Sequence, residues 1–169
     1  MGYDNATEAE HKKAVVRDWI ESIHGGENDV WATYERCFHP DAEWRLIGST
    51  PRSGTFKGLE SIKKDFMEPG RRGDGREGPS VQGLSSDFGI SLEISDMQML
   101  EDGRVVVFCM SKGMGRNGVA YDNEYCWILT VRDDKIAAMY EFCDTVLIET
   151  AHFDKMLVPR GTTTPVYEN

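Results

Sequence analysis

One carboxylate in this 169-residue chain stands where a carboxylate is expensive. Glu141 falls inside IAAMYEFC, a run otherwise largely apolar, and an unpaired charge buried there carries a large desolvation cost. Burial beside aromatic rings raises the proton affinity of such a group toward the range useful for proton transfer. Just upstream, Tyr121, Asn123, Tyr125, Trp127, Leu129 and Val131 alternate with Asp122, Glu124, Cys126, Ile128 and Thr130. One strand face therefore offers Asn123 and Tyr125 as hydrogen-bonding partners for a substrate carbonyl or hydroxyl. Whether Glu141 shares that face depends on register. A two-residue loop at Asp133-Asp134 pairs Asn123 with Asp144 and Tyr125 with Phe142, and turns Glu141 away. A three-residue loop with a bulge pairs Tyr125 with Glu141 and gathers Asn123, Trp127 and Glu141 on one face. Asp144 is the second carboxylate in reach of a pocket. It also reads as the N-cap of a short last helix, because Asp144-Thr145 precedes Val146, Leu147 and Ile148.

Other reactive residue types are less promising. His11, His24 and His152 show no ligand spacing with one another or with cysteines, so no metal is expected. His39, beside Pro40, reads as a hydrogen-bonding residue at a helix end. Cys37, Cys109, Cys126 and Cys143 show no close pairing and sit among apolar or aromatic neighbours, which points to buried reduced thiols.

The elements that must position these groups can be read from periodicity. Thr7-Glu8-Ala9-Glu10 is a capping box, followed by Val15, Trp19, Ile20 and Ile23 at helical spacing and a stop at Gly25-Gly26. A second helix carries Trp31, Tyr34 and Phe38 and ends at Pro40. A strand over Ala42 to Ile47 runs into the bend GSTPRSGTFKG. A third helix then places Leu59, Ile62 and Phe66 on one face and stops at Pro69-Gly70. Residues 68–89 are rich in glycine and poor in apolar periodicity, so a flexible insertion is expected, either an excursion or a lid. From Ile90 onward the pattern is strands and tight turns. Helices segregated from an antiparallel sheet define an α+β fold, here one domain over 1–153 with a tail over 154–169. Among the aromatic residues, Trp19, Tyr34, Trp44 and Trp127 are expected to line any pocket.

Composition narrows the partners. A formal charge of −10 disfavours nucleic acid and anionic membrane. No long apolar run or leader pattern is present, so a cytoplasmic protein is expected.

The order of elements, with GSTPRSGTFKG after the DAEW strand and YDNEYCWILTVRDDKIAAMYEF near the end, resembles the SnoaL-like proteins of the nuclear-transport-factor-2-like superfamily. The likeness covers roughly residues 7 to 153. It implies a cystatin-like α+β barrel: a cone-shaped, curved, mainly antiparallel (mixed) sheet, with three helices from the first half of the chain enclosing a pocket, usually in a homodimer. Ketosteroid isomerases share the bend but carry an Asp base on the strand before it, where this chain has Arg45 or Leu46. Their oxyanion-hole Tyr corresponds to Trp19. Relatives that hydrate epoxides use an Asp–Arg–Asp set; Glu141 matches one carboxylate, with no Arg on the Val105 to Met110 strand. The phenazine-biosynthesis A/B proteins and polyketide cyclases are closer, with a strand like Tyr121, Asn123, Tyr125 and a Glu-Phe like Glu141-Phe142, where the Glu is the pocket acid/base. Relatives carry Gly at the place of Asp134, which favours the bulged register. The resemblance thus implies a cofactor-independent isomerase, cyclase or dehydratase acting on a small apolar oxygenated or cyclic molecule, with Glu141, Tyr125 and Asn123 catalytic. A binding or dimerisation module without chemistry is the alternative, and epoxide-type hydration the second.

Overall fold

The computed structural model describes residues 2–24, 30–71, 81–82 and 89–161. Helix α1 spans Gly2–His24, so it starts ahead of the Thr7 capping box rather than at it. Its inward stripe is Val16, Trp19, Ile20 and Ile23, one residue off the expected Val15 at the first position. Helix α2 (Val30–Cys37) leads directly into strand β1 (Phe38–Ile47). The expected helix end at Pro40 is corrected: the helix has already stopped, and Pro40 lies where β1 loses register with its neighbour, a place that tolerates a missing N–H.

Strand β2 (Gly54–Lys57) folds back on β1 through the Gly48–Ser53 bend. Gly48 is required there, since a Cβ would fall 2.6 Å from Ser53 Oγ and 2.9 Å from Thr145 Cγ2. The third helical stretch is composite: α3 (Leu59–Ser61), a π-helical segment (Ile62–Met67) and α4 (Glu68–Arg71). It passes through Pro69-Gly70 instead of stopping there. Of the expected flexible insertion, residues 72–80 and 83–88 lie outside the described residues. Val81 belongs to the short strand β3 (Val81–Gln82) and is 1% exposed. It pairs with β6 (Met114–Gly115).

The main sheet is mixed and open, in the order β2-β1-β8-β7-β5-β4, with β4 (Ser91–Met99), β5 (Val105–Lys112), β7 (Glu124–Arg132) and β8 (Lys135–Cys143). It curls without closing, so "barrel" overstates it. All neighbours are antiparallel except β1 and β8, which run parallel. Helix α5 (Thr145–Phe153) returns across the open end. The concave face carries the core: Trp44 and Leu46 from β1, Val105 and Val107 from β5, Tyr125, Trp127 and Leu129 from β7, and Met139 from β8. On the convex face Phe108, Met110 and Phe142 are about 40% exposed, with Ile128 half-buried beside them and Val106 buried.

The β7–β8 turn decides where Glu141 points. Asp133 and Asp134 have φ of 50° and 58°, the two left-handed positions of a tight two-residue hairpin, and Arg132 pairs with Lys135. Left alone, that loop would turn Glu141 outward. Instead β8 bulges between Ile136 and Ala138, where Thr130 takes Ala138 and Val131 takes Ile136 as partner. The extra residue restores the parity. Glu141 pairs with Trp127, and Tyr125 with Cys143, so the expected three-residue loop is corrected while the face is the one that loop would have produced.

Candidate active site

The concave sheet, α1, the π-helical segment and α5 enclose a cavity of about 120 Å³. This is comparable to the roughly 150 Å³ that admits a benzene molecule. Its deep end is built from Trp19, Tyr34, Trp44, Trp127 and Glu141, each 6% exposed or less. Its other end is partly exposed and holds Arg52 from the β1–β2 bend, Phe66 from the π-helical segment and His152 and Phe153 from α5. Apart from Glu141, no carboxylate is among the lining residues.

Glu141 reaches this cavity because the β8 bulge turns it inward and the parallel β1–β8 pairing sets Trp44 next to it. The Trp44 indole N–H donates to Glu141 Oε2 at 2.7 Å. Trp44 in turn sits among Trp19, Phe38 and Phe66, with ring centroids 5.0–6.1 Å away. In this apolar setting desolvation raises the Glu141 pKa to about 7; the Trp44 N–H, and more weakly Trp127, pull it back down. The Trp127 N–H exerts that pull without completing a hydrogen bond: it and the Trp19 N–H are buried with no hydrogen-bond partner among the described residues. At neutral pH the carboxyl group is divided between its neutral and ionised forms, so it can give or take a proton.

Tyr125 lines the cavity beside it. Its hydroxyl donates to Tyr121 Oη at 3.0 Å and lies 3.3 Å from Ser111 Oγ. Burial pushes both phenols well above their ordinary pKa, so each remains a neutral hydrogen-bond donor. Asn123 plays a different part from the one expected. Its side chain accepts from the Asp144 N–H at 3.0 Å, donates to the Asp144 carbonyl at 3.1 Å and lies 3.4 Å from Tyr121 Oη. It thereby ties β7 to the start of α5, and it does not line the cavity. Asp144 is likewise outside the cavity: its carboxylate accepts from the Val146 and Leu147 N–H groups and caps α5. The orphan N–H groups of a helix start are a closer partner than any ligand.

The structure thus brings Glu141, Tyr125, Trp19, Tyr34, Trp44 and Trp127 to one cavity and leaves out Asn123 and Asp144. Sequence reasoning missed Arg52, Tyr121 and Val81 as lining residues. Tyr121 had a signal, since it shares the parity of Tyr125; Arg52 and Val81 had none, because a bend and a glycine-rich segment carry no face.

Among the described residues, no group of three or more His, Cys, Asp or Glu is arranged to hold a metal, and no helix is long and apolar enough to cross a membrane. The four cysteines are free, Cys37 and Cys109 buried, Cys126 and Cys143 only half-buried.

Comparison with known proteins identifies relatives by shape. No family model matches the chain, and no curated protein matches its sequence. Solved structures do. A protein from Jannaschia sp. CCS1 assigned to the SnoaL-like polyketide cyclases is similar at 13% identity and TM-score 0.62, covering 88% of this chain and 95% of its own. TerC co-crystallised with polyporic acid is similar at 22% identity and TM-score 0.61, covering 83% and 97%. A hypothetical protein with a ketosteroid-isomerase-like fold from Catenulispora acidiphila, in complex with trimethylamine, is similar at 12% identity and TM-score 0.58, covering 85% and 97%. The chain therefore has the α+β cone fold shared by nuclear-transport-factor-2-like, SnoaL-like and ketosteroid-isomerase-like proteins.

Proposed function

We propose that this protein is an acid–base enzyme of the isomerase, cyclase or dehydratase type, acting without a cofactor on a small oxygenated cyclic molecule. The observation that carries the reading is Glu141: a buried carboxyl group at the deep end of an aromatic cavity, with a pKa near 7. Neutral Glu141 donates a proton to a substrate oxygen, or its carboxylate removes a proton from carbon; the Trp44 N–H stabilises the ionised form between steps. Tyr125, held by Tyr121 and Ser111, places a hydroxyl on the cavity wall that would serve a substrate oxygen by turning its proton from Tyr121 toward it. That TerC was crystallised with polyporic acid supports a cavity for an organic ligand in this fold. Epoxide-type hydration fits less well, since it uses two carboxylates and only Glu141 lines the cavity.

The test is proton exchange in D2O on a panel of cyclic ketones and enols, followed by NMR. Wild-type protein should accelerate exchange on at least one member, and Glu141→Gln should lower that rate by roughly 100-fold. An unchanged rate in the variant would leave a binding module in its place.

The convex face bears on assembly. Phe108, Met110 and Phe142 form an exposed apolar patch, with Phe108 and Phe142 flanking Cys126 in one cross-strand row. We propose a homodimer through this face. Sedimentation at micromolar concentration should give twice the 19.1 kDa chain mass, and Phe142→Glu should return it to the monomer. Four free thiols favour a reducing, cytoplasmic setting.

A further inference from the structure

The partly exposed end of the cavity holds a cation with no carboxylate of its own. Arg52 stands in the β1–β2 bend, and its guanidinium is held by main-chain oxygens: Nη1 donates to the Asp65 carbonyl at 3.2 Å and Nη2 to the Phe66 carbonyl. Pro69, four residues beyond Asp65, has no N–H to donate to the Asp65 carbonyl. The guanidinium also lies over the rings of Phe66 and Phe153, 5.5 and 5.4 Å from their centroids. A guanidinium has five N–H donors, so this anchoring leaves donors to spare.

Its charge is not cancelled on the spot. The acidic group acting on it is Glu149, 6% exposed, and that carboxylate is already engaged by the Lys155 ammonium and by the Arg52 main-chain N–H. Among the described residues no carboxylate comes within ion-pair distance of the Arg52 guanidinium. Arg52, Lys155 and Glu149 together carry one net positive charge, in a chain whose formal charge is −10. The pathway from this cation to the proton-transfer group is a wall of two rings. Arg52 touches Phe66, Phe66 packs on Trp44 at 5.0 Å, and Trp44 bonds Glu141.

We infer that the cavity selects a ring-bearing organic monoanion, a carboxylate or an equally acidic enol, with its charge on Arg52 and its ring along Phe66 and Trp44. Resting on the Glu141 reading above, this sets the reacting atom at the far end of the ring from the anion. Arg52 is then a specificity-determining residue. Its planar fork suits a two-oxygen anion better than an ammonium would.

The probe pair is phenylacetate and its neutral isostere phenylacetamide. Each is titrated against wild-type protein, Arg52→Met, Arg52→Lys and Glu141→Gln, with quenching of tryptophan fluorescence as the readout, since Trp19, Trp44 and Trp127 line the cavity. Wild-type protein should bind the acid about 10-fold or more tightly than the amide. The preference should vanish in Arg52→Met, survive in reduced form in Arg52→Lys, and persist in Glu141→Gln. Equal affinities in the wild type overturn the inference, as does a preference that survives Arg52→Met. Failure of phenylacetate, cyclohexanecarboxylate and 1-naphthoate all to bind at millimolar concentration overturns it too. Should Arg52→Met fail to fold, as a melt would reveal, the wild-type acid-to-amide ratio and its loss at high salt still decide the matter. The two readings fail separately: acid preference with an unchanged exchange rate in Glu141→Gln sinks only the catalytic one.

Discussion

Glu141 and Glu149 are equally hidden, each 6% exposed, yet their surroundings could hardly differ more. Glu149, on α5, has one oxygen on the Lys155 ammonium and the other on the Arg52 main-chain N–H, so its charge is matched by a charge. Glu141 has indole N–H groups for company and no cation beside it, so the proton itself relieves the cost of burial. Burial by itself therefore does not make an acid/base group. The absence of a compensating cation does, and the aromatic wall enforces it by setting apolar rings around the carboxyl group.

The widest separation between the two is in function and in pH dependence. Glu141→Gln should reduce turnover by roughly 100-fold, whereas Glu149→Gln should leave it within a few-fold. Because the folded-state pKa of Glu141 is about 7 against 4.5 unfolded, the folded protein holds its proton more tightly than the unfolded chain. That contribution to stability is complete below pH 4.5 and is lost as pH rises through 7. At about 1.4 kcal/mol per pKa unit it amounts to roughly 3 kcal/mol. Denaturation series at pH 4.5, 6 and 8 should show this decline in the wild type and its absence in Glu141→Gln, which would be the more stable of the two at pH 8. Parallel pH curves for both proteins would dissolve the contrast.

Glu149→Ala should show the opposite profile, a loss of stability without loss of chemistry. It leaves the Arg52 N–H and Lys155 without their shared acceptor, at a cost of about 1–3 kcal/mol, read as a lowered melting temperature. A third acid sharpens the comparison at the start of the same helix. Asp144 caps α5, so Asp144→Ala should cost about 1 kcal/mol and leave proton exchange untouched; a large drop in exchange would reinstate it as a site residue. The smallest effect is on Glu141 itself. Trp44→Phe removes the N–H that favours the ionised form, so the Glu141 pKa should climb further above 7, by about one unit or less. Carboxyl 13C shifts of labelled glutamate would follow it, and a downward shift would mean that Trp44 matters through packing instead.

Much of this arrangement is written locally. The alternation from Tyr125 to Leu129 puts those residues on one strand face wherever the strand goes, because successive side chains must point to opposite sides. Asp144 caps whatever helix follows it, and Gly48 permits a close approach no other residue allows. The two aspartates at the β7–β8 turn mark a tight hairpin by their own chemistry. The face of Glu141 was legible only in part. Ile136 and Met139 both point inward although they stand three positions apart, with the small Ala137 and Ala138 between, and that break in alternation is the trace of the bulge.

The rest belonged to the tertiary structure. Trp44 meets Glu141 from 97 positions away, through a parallel pairing that no local pattern specifies. The pKa of Glu141 follows from burial among rings contributed by four other elements, and the placement of Arg52 from main-chain carbonyls of the π-helical segment. Backbone preferences act over a few residues and so dictate turns, caps and faces. Desolvation and charge compensation depend on everything within a few ångströms, whichever part of the chain supplies it, and folding alone decides which parts those are.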